Sequence, residues 1–255
     1  MRGFVAIGVI AVIVSLGGVR VAGADDPPHA VFLLQVVAQD GGQYRSAMYG
    51  TAFFVSDDGT ALTNSHVVYL AQRDPARFQL LAVVNQEFFS ASIVCASRLP
   101  HDPTDPGLHV RPSRDVAKIR LSPATFPFEQ WRLTIQGGAS LARVTAHRNG
   151  LPRFPFLAVT GRPVSGDPVH VIGFGPVLPG VPRWTATGQV LGVDQTTDGT
   201  EIFGIDFDGW AQPGNSGSPV LNPRQEVIGM WTWHSLTDAN IAMAIGSSAL
   251  RTPCP

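Results

Sequence analysis

The sequence predicts an all-β protein built from many short strands. Its 27 glycines and 21 prolines are spread over 255 residues without a period, which excludes collagen and argues against a helical bundle. Apolar, β-branched segments recur at intervals of roughly 8 to 15 residues, with turn dipeptides such as Asp58-Gly59 and Asp198-Gly199 between them. Helical periodicity is almost absent. These observations favour a β-sandwich or β-barrels.

Each predicted strand is a short apolar or alternating run bounded by turn-forming residues. In chain order, the predicted strands are residues 31–38, 50–56, 78–84, 88–95, 116–121, 141–146, 169–174, 185–193, 201–207, 227–233 and 241–245. A further apolar strand, residues 219–221, follows the glycine-rich turn discussed below. Short helical turns are predicted only after His66 and after Ser247-Ser248, where a serine can cap the turn.

The length of the chain suits one large all-β unit or two compact barrels. Residues 136–166 are rich in glycine and proline, so we place a connection there. The predicted organisation is a first β-unit over residues 25–140, a connecting segment over 141–165 and a second β-unit over 166–255.

The first 24 residues are typical of a secretory signal peptide. Arg2 precedes an apolar run, and the small residues Ala22-Gly23-Ala24 predict cleavage after Ala24. The alternative, a membrane anchor, is disfavoured because the run has about 13 residues and a span needs about 20. With 17 arginines against one lysine, the composition indicates a GC-rich bacterial genome. We therefore expect a secreted or periplasmic bacterial protein that leaves the membrane once the signal is removed.

The charge of the chain gives no reason to expect a nucleic-acid partner. Its formal net charge is −1, and charged residues make up 15% of the sequence, against about 25% in an average soluble protein. A disordered acidic or basic tail is excluded for the same reason.

Two cysteines remain after signal removal, Cys95 and Cys254. In an oxidising compartment we expect them to form a disulfide, and the alternative is a buried free Cys95 within a strand. A metal site that combines Cys95 with His101, Asp102, Asp105 and His109 fits no zinc spacing. We therefore predict a proline-rich surface loop there and no metal.

The segment Pro213-Gly-Asn-Ser-Gly-Ser-Pro219 places a serine between glycines. Such a turn can expose a hydroxyl and point backbone N–H groups at one spot, although an ordinary polar turn has the same composition. Serine is a weak nucleophile, so it needs a base, and the base needs a carboxylate to orient it. We assign Ser216 as nucleophile, His66 as base and Asp115 as the carboxylate. Asp102 and Asp105 compete less well because a proline follows each.

The chain resembles the chymotrypsin-fold serine peptidases, and among them the bacterial Deg/HtrA proteases and glutamyl endopeptidases. The motifs that carry the resemblance occur in the order of the family: Gly50-Thr-Ala-Phe-Phe-Val, Leu62-Thr-Asn-Ser-His-Val-Val, Asp115-Val-Ala, Pro213-Gly-Asn-Ser-Gly-Ser-Pro-Val-Leu, Glu226-Val-Ile-Gly and Asn240-Ile-Ala-Met-Ala-Ile. The resemblance implies two six-stranded antiparallel β-barrels with the active site in the cleft between them. It further implies hydrolysis of protein or peptide substrates through an acyl-enzyme, without a cofactor.

The resemblance also assigns the residues around the nucleophile. The N–H groups of Gly214 and Ser216 would form the oxyanion hole. Trp210 would lie at the base of the specificity pocket, which would be lined by Thr232, Trp233 and His234.

None of these pocket residues is acidic, so we expect poor cleavage after lysine or arginine. Asn215 stands where an acidic residue would pair a new amino terminus, so we expect activity without such processing. We expect Asn215 to hold its turn through local side-chain bonds to the backbone.

Two functions from other classes remain open at this point. One is a catalytically inactive trypsin-like homologue that acts as a binding or scaffold protein. The other is a β-sandwich binding module in which Gly-Asn-Ser-Gly is a chance turn. Labelling by a serine-reactive fluorophosphonate separates both from an active peptidase.

Overall fold

The computed structural model describes residues 27–99, 114–134, 140–174, 183–207, 214–234 and 241–253. Within them, a short 3-10 helix (Pro27–Ala30) precedes 14 strands and two helices. The elements are β1 (Val31–Asp40), β2 (Gln43–Phe54), β3 (Thr60–Thr63), α1 (Ser65–Arg73), β4 (Phe78–Val84), β5 (Glu87–Ala96), β6 (Ala117–Ser122), β7 (Gln130–Thr134), β8 (Ser140–Ala146), β9 (Pro168–Phe174), β10 (Arg183–Gln195), β11 (Glu201–Phe207), β12 (Pro219–Leu221), β13 (Val227–His234), β14 (Ile241–Gly246) and α2 (Ser247–Arg251).

Six strands close the first barrel in the order β4-β1-β2-β3-β6-β5, and the pairing of β5 with β4 completes the ring. Every pairing in the ring is antiparallel. The hairpin β7-β8 extends this sheet through a short parallel pairing of β8 with β5. Alternate residues point inward and fill the barrel with aromatic and aliphatic side chains, among them Phe32, Phe54 and Ile119.

The second barrel closes in the order β10-β11-β14-β13-β12-β9, again with antiparallel pairings throughout. Its interior contains Phe203, Ile205 and Trp231. The prediction of an all-β fold with two six-stranded antiparallel barrels is therefore confirmed.

An apolar layer joins the barrels. It combines Leu62 and Val83 of the first barrel with Ile172, Met230 and Ile245 of the second. Burial of this shared layer fixes the two barrels relative to each other, which matters because the candidate catalytic residues are divided between them.

The segment between β8 and β9 also connects the barrels. Leu157 N–H donates to the Phe54 carbonyl in the first barrel at 2.9 Å, and Val227 N–H in the second donates to the Ala158 carbonyl at 2.9 Å. Two successive residues of this segment thus bond to opposite barrels.

Every strand predicted from the sequence overlaps an observed strand. The helices α1 and α2 lie where the two helical turns were predicted. The sequence pattern does not predict β3 or β7, and it predicts only the second half of β2. In its first half β2 is largely exposed and polar, so the alternating burial that marks a strand is missing there. None of the described helices is both long and apolar enough to cross a membrane.

Candidate active site

His66 lies in the first turn of α1, directly after β3. The helix buries Val67, Val68 and Ala71 against the first barrel. This packing fixes the direction of the neighbouring His66 side chain, which stays 23% exposed. An imidazole in this position is held by the helix and can still be reached from the cleft.

Asp115 lies two residues before β6, and its side chain is only 1% exposed. Its Oδ1 accepts the backbone N–H of His66 at 2.9 Å, and its Oδ2 lies 2.6 Å from His66 Nδ1. A carboxylate can only accept, so the Nδ1 proton points at Asp115 and the Nε2 lone pair points away. This arrangement prepares Nε2 to take a proton.

Three successive residues at the start of α1 hold the Asp115 segment. The side chain of Asn64 donates to the Asp115 carbonyl at 2.8 Å, the Ser65 hydroxyl donates to the Val116 carbonyl at 2.8 Å, and His66 N–H reaches the Asp115 side chain. Asn64 caps the helix by position only, because its side chain makes no capping bond. Its amide group holds Asp115 instead.

Asn64 also contacts the second barrel. Its Nδ2 donates to the Thr232 hydroxyl on β13 at 2.9 Å, and that hydroxyl donates to the Met230 carbonyl at 3.1 Å. Asn64 and Thr232 are both buried. One side-chain amide therefore joins the backbone of Asp115 to the strand that borders the predicted pocket.

The Ser216 turn is tightly packed between two strands. Gly214 has φ = +98°, and a Cβ atom there would overlap the Phe174 carbonyl and lie 2.7 Å from the Tyr49 ring. Gly217 has φ = +90°, and a Cβ atom there would overlap the Thr51 carbonyl. Only glycine combines this backbone conformation with this close approach.

The structure brings the Ser216 turn next to the His66 helix. A Cβ atom on Gly50 would lie 2.7 Å from the Val67 side chain and 3.1 Å from the Ser216 carbonyl oxygen. The Ser216 carbonyl and the residue that follows His66 thus both lie close to Gly50 on β2. Within the described residues, the N–H groups of Gly214 and Ser216 donate to no other group, as an oxyanion hole requires.

The prediction that Asn215 holds this turn through its side chain is wrong. Both polar side-chain atoms of Asn215 are buried, and neither has a hydrogen-bond partner among the described residues. The turn is closed by backbone bonds instead: Ser218 N–H donates to the Asn215 carbonyl, and Gly217 N–H donates to the Trp231 carbonyl, both at 3.0 Å. The amide packs into the protein interior, away from the backbone groups of its own turn.

Comparison with known proteins agrees with this geometry. Residues 50–230 match the model of the trypsin-like peptidase domain family. The chain belongs to this family. It is therefore a trypsin-like serine peptidase, and the β-sandwich binding module is excluded.

Solved structures with the same fold include the active form of the Rv3671c protease from M. tuberculosis. This structure is 16% identical to our chain, with a TM-score of 0.57 over 89% of this chain and 80% of that one. An inactive serine-to-alanine mutant of the M. tuberculosis H37Rv protein gives a TM-score of 0.54 at 16% identity, over 89% of this chain and 85% of that one. At such identity the likeness concerns the fold alone.

The residues predicted to line the pocket of this trypsin-like peptidase lie at the end of β13. Thr232 is buried, Trp233 is half-buried and His234 is exposed. The Trp233 indole N–H is buried without a hydrogen-bond partner among the described residues. Trp210, predicted at the pocket base, lies outside the described residues.

The tip of the β10-β11 hairpin, in the second barrel, approaches the Asp115 segment of the peptidase. Asp198 Oδ2 accepts the backbone N–H of Arg114, the neighbour of Asp115, at 3.4 Å. Hydrogen bonds, the largest contribution coming from the Thr196 hydroxyl, lower the pKa of Asp198 to about 2. This carboxylate is therefore ionised at neutral pH and loses its charge only as the pH falls towards 2.

The predicted disulfide lies partly outside the described residues, and the predicted proline-rich loop lies almost wholly outside them. Cys95 is half-buried on β5, but Cys254 lies outside the described residues, so the disulfide stays a prediction. His101, Asp102, Asp105 and His109 also lie outside them. Across the described ranges, no three His, Cys, Asp or Glu side chains are grouped as a metal would need.

Sequence reasoning missed two polar residues of the site, Thr51 and Asn64. Both belong to motifs that the sequence analysis singled out, Gly50-Thr-Ala and Leu62-Thr-Asn-Ser-His. The signal in the sequence was a polar side chain, the Thr51 hydroxyl and the Asn64 amide, next to buried apolar residues of these motifs. Their partners are more than 50 residues away in the chain, so the local pattern could not identify them.

Proposed function

We propose that this peptidase is an exported endopeptidase that uses Ser216, His66 and Asp115 as a catalytic triad. The observation that carries the proposal is the pair of hydrogen bonds that Asp115 makes, one with the backbone N–H and one with the ring of His66. A buried carboxylate that binds one histidine through both of its oxygens fixes the orientation and the tautomer of that histidine. The loop of Ser216 lies beside the same helix, and its Gly214 and Ser216 N–H groups donate to no described group.

In the proposed reaction, His66 Nε2 takes the hydroxyl proton of Ser216 as Oγ attacks the substrate carbonyl carbon. The N–H groups of Gly214 and Ser216 bind the oxyanion that forms. His66 then gives the proton to the leaving amine, and the peptide C–N bond breaks to leave an acyl-enzyme. Water repeats the sequence in reverse order, releases the carboxylic acid and restores Ser216.

For substrate choice, we propose that small or apolar side chains are preferred at the cleavage position. Thr232, Trp233 and His234 offer no carboxylate to pair with lysine or arginine. Efficient cleavage after arginine would contradict this assignment of the pocket.

The proposal places the mature chain, residues 25–255, outside the cytoplasm of a bacterium. Two expectations from the sequence support it: the signal-like first 24 residues, and the expected disulfide between Cys95 and Cys254, which an oxidising compartment would stabilise. Mass spectrometry of the exported protein tests both, through the residue at its amino terminus and a two-proton mass difference on reduction.

A fluorophosphonate probe and a diverse peptide library test the catalytic proposal. The mature wild-type chain should be labelled at Ser216 and should cleave library peptides, whereas Ser216→Ala should do neither. A folded wild-type protein that shows neither property would favour the inactive homologue that acts as a binding or scaffold protein. Nothing in the site favours that alternative at present, because His66 and Asp115 keep the contacts that catalysis needs.

A further inference from the structure

We propose that Thr51, a residue of the first barrel, is a positioning residue that sets the oxyanion hole in the second barrel. The inference rests on the proposed function, because it takes the N–H groups of Gly214 and Ser216 as the oxyanion hole. Thr51 lies on β2 and is fully buried. Its bonds to the Ser216 loop go to backbone carbonyls and not to the Ser216 hydroxyl, so it acts through the loop that it holds.

Every polar atom of Thr51 is used. Its hydroxyl donates to the Gly214 carbonyl at 2.8 Å and accepts the Phe174 N–H at 3.0 Å. Its N–H donates to the Ser216 carbonyl at 2.8 Å, and its own carbonyl accepts the Thr63 hydroxyl at 2.7 Å. Three of these four bonds cross from the first barrel to the second.

The two anchored carbonyls flank the part of the loop that matters. The peptide group between Asn215 and Ser216 carries the Ser216 N–H, and it lies between the two peptide groups whose carbonyls Thr51 holds. Gly214 N–H is separated from the first of these anchored carbonyls only by the φ and ψ rotations of Gly214 itself. Fixing both carbonyls therefore restricts the directions of both N–H donors.

No other described side chain replaces this anchor. The side chain of Asn215 makes no hydrogen bond with the described residues, so the loop has no side-chain tie of its own at that position. The Thr51 side chain is also fully buried. A water molecule therefore has little room to take over the two bonds of the hydroxyl.

The test compares Thr51→Val, which keeps the shape and removes the hydroxyl, with Thr51→Ser, which keeps the hydroxyl. Ser247→Ala is the matched control. The Ser247 hydroxyl is also buried, donates to a carbonyl (Gly161, 2.6 Å) and accepts an N–H (Arg251, 3.1 Å), but it lies on α2, away from the Ser216 turn.

For Thr51→Val we expect kcat on a good library peptide to fall about 10- to 100-fold, with KM changed less than about 3-fold. Affinity for a peptide aldehyde, which forms a tetrahedral adduct with the nucleophile, should fall in parallel, while affinity for the unreactive product peptide stays constant. Thr51→Ser should retain kcat within about 3-fold. Ser247→Ala should lose stability without this loss of kcat.

An unchanged kcat in folded Thr51→Val, or an equal loss in Ser247→Ala, would overturn the proposal. If Thr51→Val does not fold, Thr51→Ala takes its place under the same criteria. Absence of any Ser216-dependent hydrolysis in the wild type would instead contradict the proposed function. In that case hydrogen exchange over residues 214–218 decides: faster exchange in Thr51→Val than in Thr51→Ser supports the anchor, and equal exchange refutes it.

Discussion

The His66–Asp115 pair and the Ser216 loop are held in opposite ways. In the first barrel, Asp115 is bound by Asn64 and His66, residues of the same barrel that follow one another closely in the chain. In the second barrel, the Ser216 loop relies on its own backbone and on Thr51 of the other barrel. The proposed acid–base pair is thus assembled within one barrel, whereas the loop of the proposed nucleophile depends on the contact between barrels.

Buried polar groups make the contrast sharper. Asp115 is buried with both carboxylate oxygens paired, while Asn215 is buried with neither side-chain atom paired to a described residue. An unpaired buried amide costs free energy that a paired carboxylate does not. Substitutions around Asp115 should therefore lower the free energy of unfolding, whereas substitution of Asn215 should leave it unchanged or raise it. The losses of activity should differ in size between the two regions.

The largest effect is expected from removing the nucleophile or the base. Ser216→Ala and His66→Ala should each lower kcat by about 10⁴-fold or more and leave the fold intact. The double variant should be no slower than the slower single variant, because both residues serve one proton transfer. Steady-state kinetics, with circular dichroism as the folding control, checks this. If the losses of kcat in the two single variants multiply in the double variant, Ser216 and His66 do not act in one site.

Asp115→Asn should lower kcat by about 10⁴-fold while His66 stays in place, because an amide can turn its NH₂ group towards Nδ1 and impose the wrong tautomer. Nitrogen-15 NMR of labelled histidine would follow the tautomer directly. A tautomer unchanged from wild type, with kcat also unchanged, would argue against Asp115 as the orienting group.

Asn64→Leu should lower kcat about 10-fold and the free energy of unfolding by about 1 to 3 kcal/mol, since it removes two buried bonds, to Asp115 and to Thr232. Thr232→Val is the partner variant because it removes the bond to the second barrel and leaves the bond to Asp115. Urea unfolding and kinetics of both separate the two contributions. If Thr232→Val loses as much activity as Asn64→Leu, the link between barrels matters more than the hold on Asp115.

Asn215→Leu should leave the free energy of unfolding unchanged or raise it by about 1 kcal/mol, because it removes two unpaired polar atoms from the interior. The control is Asn222→Leu, whose side chain is also buried but bonds to Arg224 N–H, to Glu226 N–H and to the Glu226 carboxylate. That variant should lose about 2 kcal/mol. Comparable losses in the two variants would show that Asn215 has a partner after all.

The smallest effect is expected at the hairpin tip. Asp198→Asn should change kcat less than about 2-fold and stability by less than about 0.5 kcal/mol at neutral pH, because the group is exposed. The folded state lowers the pKa of Asp198 to about 2, so its contribution is present above the ordinary carboxyl pKa and is lost as the pH falls towards 2. Unfolding curves from pH 5 to pH 2 should show that the free energies of unfolding of wild type and Asp198→Asn converge. If they diverge as the pH falls, the pKa of Asp198 is not lowered in the folded state.

The sequence by itself determined the all-β class, nearly all the strands and the three residues proposed for catalysis, Ser216, His66 and Asp115. Alternating apolar residues and glycine-rich turns are local signals, and they mark strands wherever one face is buried. The His66, Asp115 and Ser216 motifs are local as well, so they could be found without knowing which parts of the chain meet.

Tertiary structure alone decided what holds those residues in place. Thr51 bonds to a residue 163 positions away, and Asn64 to one 168 positions away. The burial of Asn215 without side-chain hydrogen bonds, where the sequence predicted bonds to its own turn, is likewise a result of tertiary packing. Hydrogen bonds between barrels join residues that are far apart in the chain, so no short window of sequence contains both partners.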